Sequence, residues 1–214
     1  MRSRFDMQLD EMSEHLIQMG ALIERAIAGA VTALVEGDAK MAKQAIALEQ
    51  EIDDKEAIIE QLCLKLLMQQ QPVAKDLRLI SAVLKMITDM ERIGDQANDI
   101  SEIALVMKSP GSAHLPPIKD MAKATIKMVT DSIDAFVKSD LALAKGVVEY
   151  DDVVDEYFLQ LRGALIDIIH KEQEDGETVV DLLMAVKYLE RIGDHAENIA
   201  EWVVFSITGE SAKG

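Results

Sequence analysis

The pentapeptide Glu91-Arg92-Ile93-Gly94-Asp95 recurs unchanged as Glu190-Arg191-Ile192-Gly193-Asp194. Ala33-Leu-Val-Glu-Gly-Asp38 is answered by Ala135-Phe-Val-Lys-Ser-Asp140, and Ala42-Lys43 by Ala144-Lys145. The same register sets Glu49 on Asp151 and Asp53 on Asp155. Self-similarity of this kind means that one folding unit is present twice, so whatever the first half builds the second must build too.

The unit is helical. Strong breaks are few: Gly37-Asp38, Gln71-Pro72, Ser109-Pro110-Gly111, Ser139-Asp140 and Asp175-Gly176. Between them apolar residues return every three or four positions, as in Leu9, Met12, Leu16, Met19, Ile23, Ile27 and Leu34. Segments of about 30 residues, against an average helix of about 11–12, pack as antiparallel bundles when the turns are short. Aromatic residues make up only 4% of the chain, which disfavours a β-sandwich. The expected fold is therefore all-α, two similar three-helix bundles, each burying its own core. Ser109 to Pro117, rich in Pro, Gly and Ser, reads as the linker between residues 1–109 and residues 110–214.

A net charge of −17 repels phosphate backbones and anionic lipid heads, so nucleic-acid binding and membrane insertion are not expected. No stretch approaches the roughly 20 apolar residues of a membrane span, and the first residues lack an apolar signal core. The expected location is cytoplasmic. Cys63 is the sole cysteine and falls in an apolar helical run, where it reads as a small core residue.

The chemistry-bearing pattern is an acid followed four residues later by Asp: Glu49/Asp53, Glu91/Asp95, Asp151/Asp155 and Glu190/Asp194. Acids so spaced share a helical face and can share a cation; without one they repel. At about 100° per residue, the arc of Leu77, Ile80, Leu84 and Ile87 continues as Glu91, Asp95, Asn98 and Glu102. In the last segment Val179, Leu183 and Val186 give way to Glu190, Asp194, Glu197 and Glu201. Met90, Ile93, Ala97 and Ile100 keep an apolar stripe on the other side. A helix emerging into solvent would show the same switch, and Arg92 and Arg191 could neutralise acids as surface pairs. Gly94 and Gly193 argue otherwise, because glycine inside a helix costs roughly 1 kcal/mol relative to alanine and its recurrence here points to close helix approach.

Candidate metal ligands are thus Glu49, Asp53, Glu91 and Asp95, with Asp99, in the first half. In the second they are Asp151, Asp155, Glu190 and Asp194, with Asn198. Oxygen donors suit hard ions, and iron, magnesium, manganese, calcium or zinc remain open. Di-iron carboxylate enzymes use Glu-x-x-His on two helices, and no histidine here has Glu three residues before it. His195 points away from Asp194 and reads as a surface or supporting residue. No phosphate loop, nucleophile elbow or His-Glu-x-x-His motif is present.

Gln71-Pro-Val-Ala-Lys-Asp-Leu-Arg78 with Asp89-Met-Glu-Arg-Ile-Gly-Asp95 resembles the first repeat of PhoU proteins. Tyr188-Leu-Glu-Arg-Ile-Gly-Asp-His-Ala-Glu-Asn-Ile-Ala200 resembles the second. The resemblance covers essentially the whole chain. It implies two three-helix units, multinuclear metal clusters on the E(D)-x-x-x-D motifs, and a non-enzymatic negative regulator of the phosphate-starvation response. The partners it implies are the phosphate transporter ATPase subunit and a sensor histidine kinase, with the protein as a homodimer. Two departures bear on the second site: Phe158 and Arg162 stand where the first repeat has Glu56 and Glu60, and Asn198 stands where it has Asp99. The second site is expected to hold fewer ions or to hold them more weakly. The residues alone also allow a metal-free acidic scaffold that docks a basic partner, or a carboxylate-bridged metalloenzyme.

Overall fold

The computed structural model describes residues 4–70, 72, 74–107, 116–171 and 176–210. These form α1 (Arg4–Glu36), α2 (Ala39–Gln70), α3 (Lys75–Val106), α4 (Pro116–Lys138), α5 (Leu141–His170) and α6 (Gly176–Thr208), with no strand among the described residues. The fold is all-α and the three-helix unit occurs twice.

The first turn of each unit is built the same way. Gly37 takes a left-handed φ of 68° and donates its N–H to Ala33 at 2.8 Å, closing α1. Asp38 then caps α2, accepting from Lys40 N at 2.9 Å and Met41 N at 3.2 Å. In the second unit Ser139 takes φ 51°, and Asp140 caps α5 by accepting from Ala142 N and Leu143 N, both at 3.0 Å. Each aspartate satisfies N–H groups that the helix cannot, a contribution of about 1 kcal/mol.

Within each unit every helix packs on the other two: α1, α2 and α3 in the first, α4, α5 and α6 in the second. Between units α3 lies along α6, the most extensive pairing in the chain, and α1 meets α4. At the α1–α4 contact a Cβ on Gly20 would stand 2.5 Å from Ile133 Cδ1, so any side chain there would force that methyl group to shift. Among the described residues the outer helices α2 and α5 pack on no helix across the seam.

The expectation of two separate cores is corrected. Buried side chains from all six helices, Met12 through Val204, form one continuous cluster. The reason lies in the width of the apolar faces. On α5 the buried residues are Ala144, Val147, Val154, Leu161 and Leu165, an arc of about 100°, enough for one neighbouring surface. On α3 burial runs from Gln96 through Ile93, Ala97 and Met90 to Ile80, an arc of about 200° that must be covered on two sides. Its second cover is α6. The expected linker falls mostly outside the described residues, at 109–115; Pro116 and Pro117 already belong to α4.

A second correction concerns α1. By length and composition it could cross a bilayer, contrary to the expectation that no segment approaches a span. Here 56% of that apolar window is buried inside the fold, with Met12, Leu16, Met19, Ile23 and Ile27 in the core. Cys63 is buried as expected, its thiol 3.6 Å from Met12 Sδ. Burial, with a lesser push from Glu60, raises it to about 12, which leaves it unreactive.

Candidate metal centre

The repeated glycines set the spacing of the helices that carry the acids. A Cβ on Gly94 would meet Ile52 Cδ1 of α2 at 3.1 Å. A Cβ on Gly193 would meet Val154 Cγ1 of α5 at 3.0 Å and the Asp151 carboxylate oxygen Oδ1 at 3.3 Å. Ile52 and Val154 occupy the same place in the repeat, each inside an acid pair. The bare backbone at the glycine therefore lets α3 lie on α2, and α6 on α5, at the level of the acids. Met90, Ile93, Ala97 and Ile100 are fully buried, so the acidic arc belongs to a packed helix rather than to one leaving the protein.

Electrostatics show which acids face one another. Burial raises Glu49, and Asp95, Asp53, Glu102 and Asp99 raise it further. Burial and then Asp95 raise Asp53. Glu91 is raised by burial and by Asp95, against Arg92, with smaller pushes from Glu56 and Asp53. Glu56 is raised by burial, Glu60 and Asp53, again against Arg92. In the second unit burial, then Glu197, Asp155, Asp194 and Glu190, push Asp151 up to about 7. Two rows of carboxylates thus meet across α2/α3 and across α5/α6, and each penalises the ionisation of the other.

Arg92 relieves this only in part. Its guanidinium lies 3.0 Å from Asp95 and 3.5 Å from Glu91, but its side chain is 54% exposed, where such pairs contribute little. Among the described residues no group of three or more His, Cys, Asp or Glu side chains is drawn together tightly enough to grip an ion. The donors fit a hard cation on three counts: they are all oxygen, they come from two helices, and they share a deficit of positive charge.

The structure brings Glu49, Asp53, Glu91 and Asp95 to the first row pair, and Asp151, Asp155, Glu190 and Asp194 to the second. Asp99 sits between two environments: it adds to the field at Glu49 and also accepts a hydrogen bond from Tyr188 of α6. Asn198, its counterpart, turns to the seam, where its Nδ2 donates to Asp89 Oδ1 at 3.4 Å. His195 Nδ1 lies 2.9 Å from the same oxygen. Rather than supporting Asp194, His195 and Asn198 join α6 to α3. Three acids not taken as candidates face the rows as well, Glu56 and Glu102 in the first unit and Glu197 in the second. Each stands three residues after an aspartate of its row, at Asp53, Asp99 and Asp194, a spacing that shares a face as well as four does.

The PhoU domain family matches residues 16–104 and 118–203, one match on each unit. The chain is 34% identical over 212 residues to the phosphate-specific transport system accessory protein PhoU homolog of Pseudomonas putida, covering 98% of this chain and 83% of that one. Against the homolog of Clostridium acetobutylicum identity is also 34%, over 98% of this chain and 96% of the relative. The crystal structure of PhoU from Pseudomonas aeruginosa superposes with a TM-score of 0.89 at 33% identity, over 97% of this chain and all of that one (100%). The phosphate transport system regulatory protein PhoU of Streptococcus pneumoniae also gives a TM-score of 0.89, at 27% identity, over 98% and 99% of the two chains.

Proposed function

The chain belongs to the PhoU family, and on that premise we propose that it is a non-catalytic accessory of phosphate-specific transport, braced by metal ions on its two pairs of acidic rows. The observation that carries the metal reading is the facing of the rows. Half-buried and exposed carboxylates from two helices raise one another, at the same place in both units.

In this reading Glu49, Asp53, Glu91 and Asp95 hold the ions of the first unit, with Asp99 and Glu102 at the edge. Asp151, Asp155, Glu190, Asp194 and Glu197 hold those of the second. A bound hard ion, whether magnesium, manganese, iron or zinc, supplies the positive charge that the rows lack. The residues do the rest. Their backbones are fixed by the packing of Gly94 on Ile52 and Gly193 on Val154, and their carboxylates tie the outer helix of each unit to its inner partner. No proton relay or nucleophile is required, and the Glu-x-x-His pattern of oxygen-activating sites is lacking in the sequence.

The accessory role follows the relatives, which are described as phosphate-specific transport system accessory proteins. The proposed partners are the phosphate transporter ATPase subunit and a sensor histidine kinase, at the cytoplasmic face, with the protein acting as a homodimer and as a negative regulator. The units 1–109 and 110–214 serve as repeats of one body rather than as separately cored domains. The test is capture from phosphate-replete cells on the immobilised chain, either loaded with Mn²⁺ or stripped by chelator. The loaded chain is expected to retain the transporter ATPase or the kinase, and the stripped chain to retain less. Retention of neither partner contradicts the accessory reading. Equal retention by both forms contradicts the role of metal and favours a metal-free acidic scaffold.

A further inference from the structure

The two acidic sites differ at one point, and two changes meet there. In the register that sets Asp151 on Glu49, the ring of Phe158 falls where the first unit has the carboxylate of Glu56. In the register of the repeated pentapeptide, Lys187 falls where the first unit has Thr88. Thr88 is exposed and only returns its hydroxyl to Leu84 O at 3.4 Å. Lys187, by contrast, pairs with Glu190, whose side chain is 14% exposed, and its ammonium lies 5.3 Å from the centroid of the Phe158 ring. An acid has become an aromatic platform, and a neutral side chain has become the cation seated on it. The first unit takes its cation from elsewhere, from the more exposed Arg92. The counterpart of that residue, Arg191, acts on Asp99 across the seam and on Tyr188 of its own helix.

We infer that Lys187 is a tethered cation of the second acidic site, seated on Phe158 and holding Glu190, so that metal must compete with it there and not in the first unit. The inference rests on reading the acids as metal ligands, and adds which side chain sets the difference between the sites. Lys187 is itself 45% exposed, but three residues from Glu190 on the same helix it stays at high local concentration beside that acid, so an entering ion must displace it. Metal uptake at the second site therefore releases an ammonium, whereas at the first it displaces only a solvated guanidinium.

The experiment is calorimetric titration of the chelator-stripped full chain with Mn²⁺, in backgrounds that leave one site each. Asp95→Ala leaves the second site and Asp194→Ala leaves the first. In the Asp95→Ala background, Lys187→Met is expected to tighten Mn²⁺ binding about tenfold, between the limits of a charge pair in water and one at a protein surface. Lys187→Arg, which keeps the charge, is expected to bind as the parent does. In the Asp194→Ala background Lys187→Met is expected to change nothing beyond about twofold. Melting curves of each variant establish that it is folded. Second-site affinity that ignores Lys187→Met, or falls with it, overturns this inference alone. Absence of Mn²⁺ binding in both backgrounds overturns the metal reading and this inference with it.

Discussion

Asp151→Asn is expected to melt above the parent chain when both are stripped of metal near pH 8, and below it when Mn²⁺ is restored. The sign follows from the direction in which Asp151 is displaced. Its carboxyl is raised from 3.8 to about 7, by burial first and then by Glu197, Asp155, Asp194 and Glu190. The folded chain thus holds a proton that the unfolded chain has lost. The stability this gives is fully present below about pH 4 and disappears as pH rises through about 7. Glu49, Asp53, Glu56, Glu91 and Asp99 are raised as well, so the stripped protein is expected to lose further stability as their carboxyls ionise. An asparagine carries no charge to repel and escapes that loss. Because Asp151 is only half-buried and therefore screened, the gain is on the order of 1 kcal/mol, or about 2–4 °C for a chain of this size. With metal the balance reverses, because a ligand is gone. Binding at a hundredfold excess over Kd stabilises by about 2.7 kcal/mol, and the variant forfeits part of it. Scanning calorimetry in chelator and in Mn²⁺ reads both effects. A shift of the same sign in both conditions would mean that Asp151 does not exchange repulsion for coordination.

Ile93→Ala is expected to have the larger effect on stability, and to have it in both units at once. Ile93 is fully buried on the wide apolar face of α3. Truncating it removes three carbons from a packed site, at a cost of about 2–5 kcal/mol. If the core is one body, that cost is shared by the whole chain. Trp202, the only tryptophan, sits on α6 edge-on to Phe205 with ring centroids 6.0 Å apart. It reports the second unit. Its fluorescence transition in denaturant is expected to shift as far as the far-ultraviolet dichroism transition, in a single step. A tryptophan transition left in place while dichroism resolves two steps would restore two separate cores.

What the residues made legible was local. The doubled pentapeptide, the break at Gly37-Asp38 and its echo at Ser139-Asp140 are written in residue types whose conformational consequences are strong. Left-handed backbone and side-chain caps appear where those types stand. Gly94 and Gly193 announced close helix approach because they recur at the same place in the repeat, and both do lie against β-branched side chains. The family was legible too, since the repeated motifs belong to PhoU proteins and the PhoU domain matches both units.

What the residues did not disclose was which neighbour covers which face. Periodicity tells that one side of α3 is apolar, and the breadth of that side could have been read as needing two covers, but not that α6 is the second. For the same reason His195 and Asn198 were placed by their own helix, beside Asp194, whereas α3 brings Asp89 to meet them. Glu102 and Glu197 were legible on the acidic arcs of their helices, and only the requirement of a four-residue spacing kept them out of the candidate set. Lys187 was hidden because its meaning depends on Phe158, a residue of another helix.

The central claim is that the repeated carboxylates hold metal, and metal content measures it most directly. The full chain, purified without chelator and dialysed against metal-free buffer, is compared by elemental analysis with the variant carrying both Asp95→Ala and Asp194→Ala. The wild-type chain is expected to retain divalent or ferric ions, and the double variant to lose most of them while keeping its helical dichroism. Equal metal content in the two proteins would contradict the account.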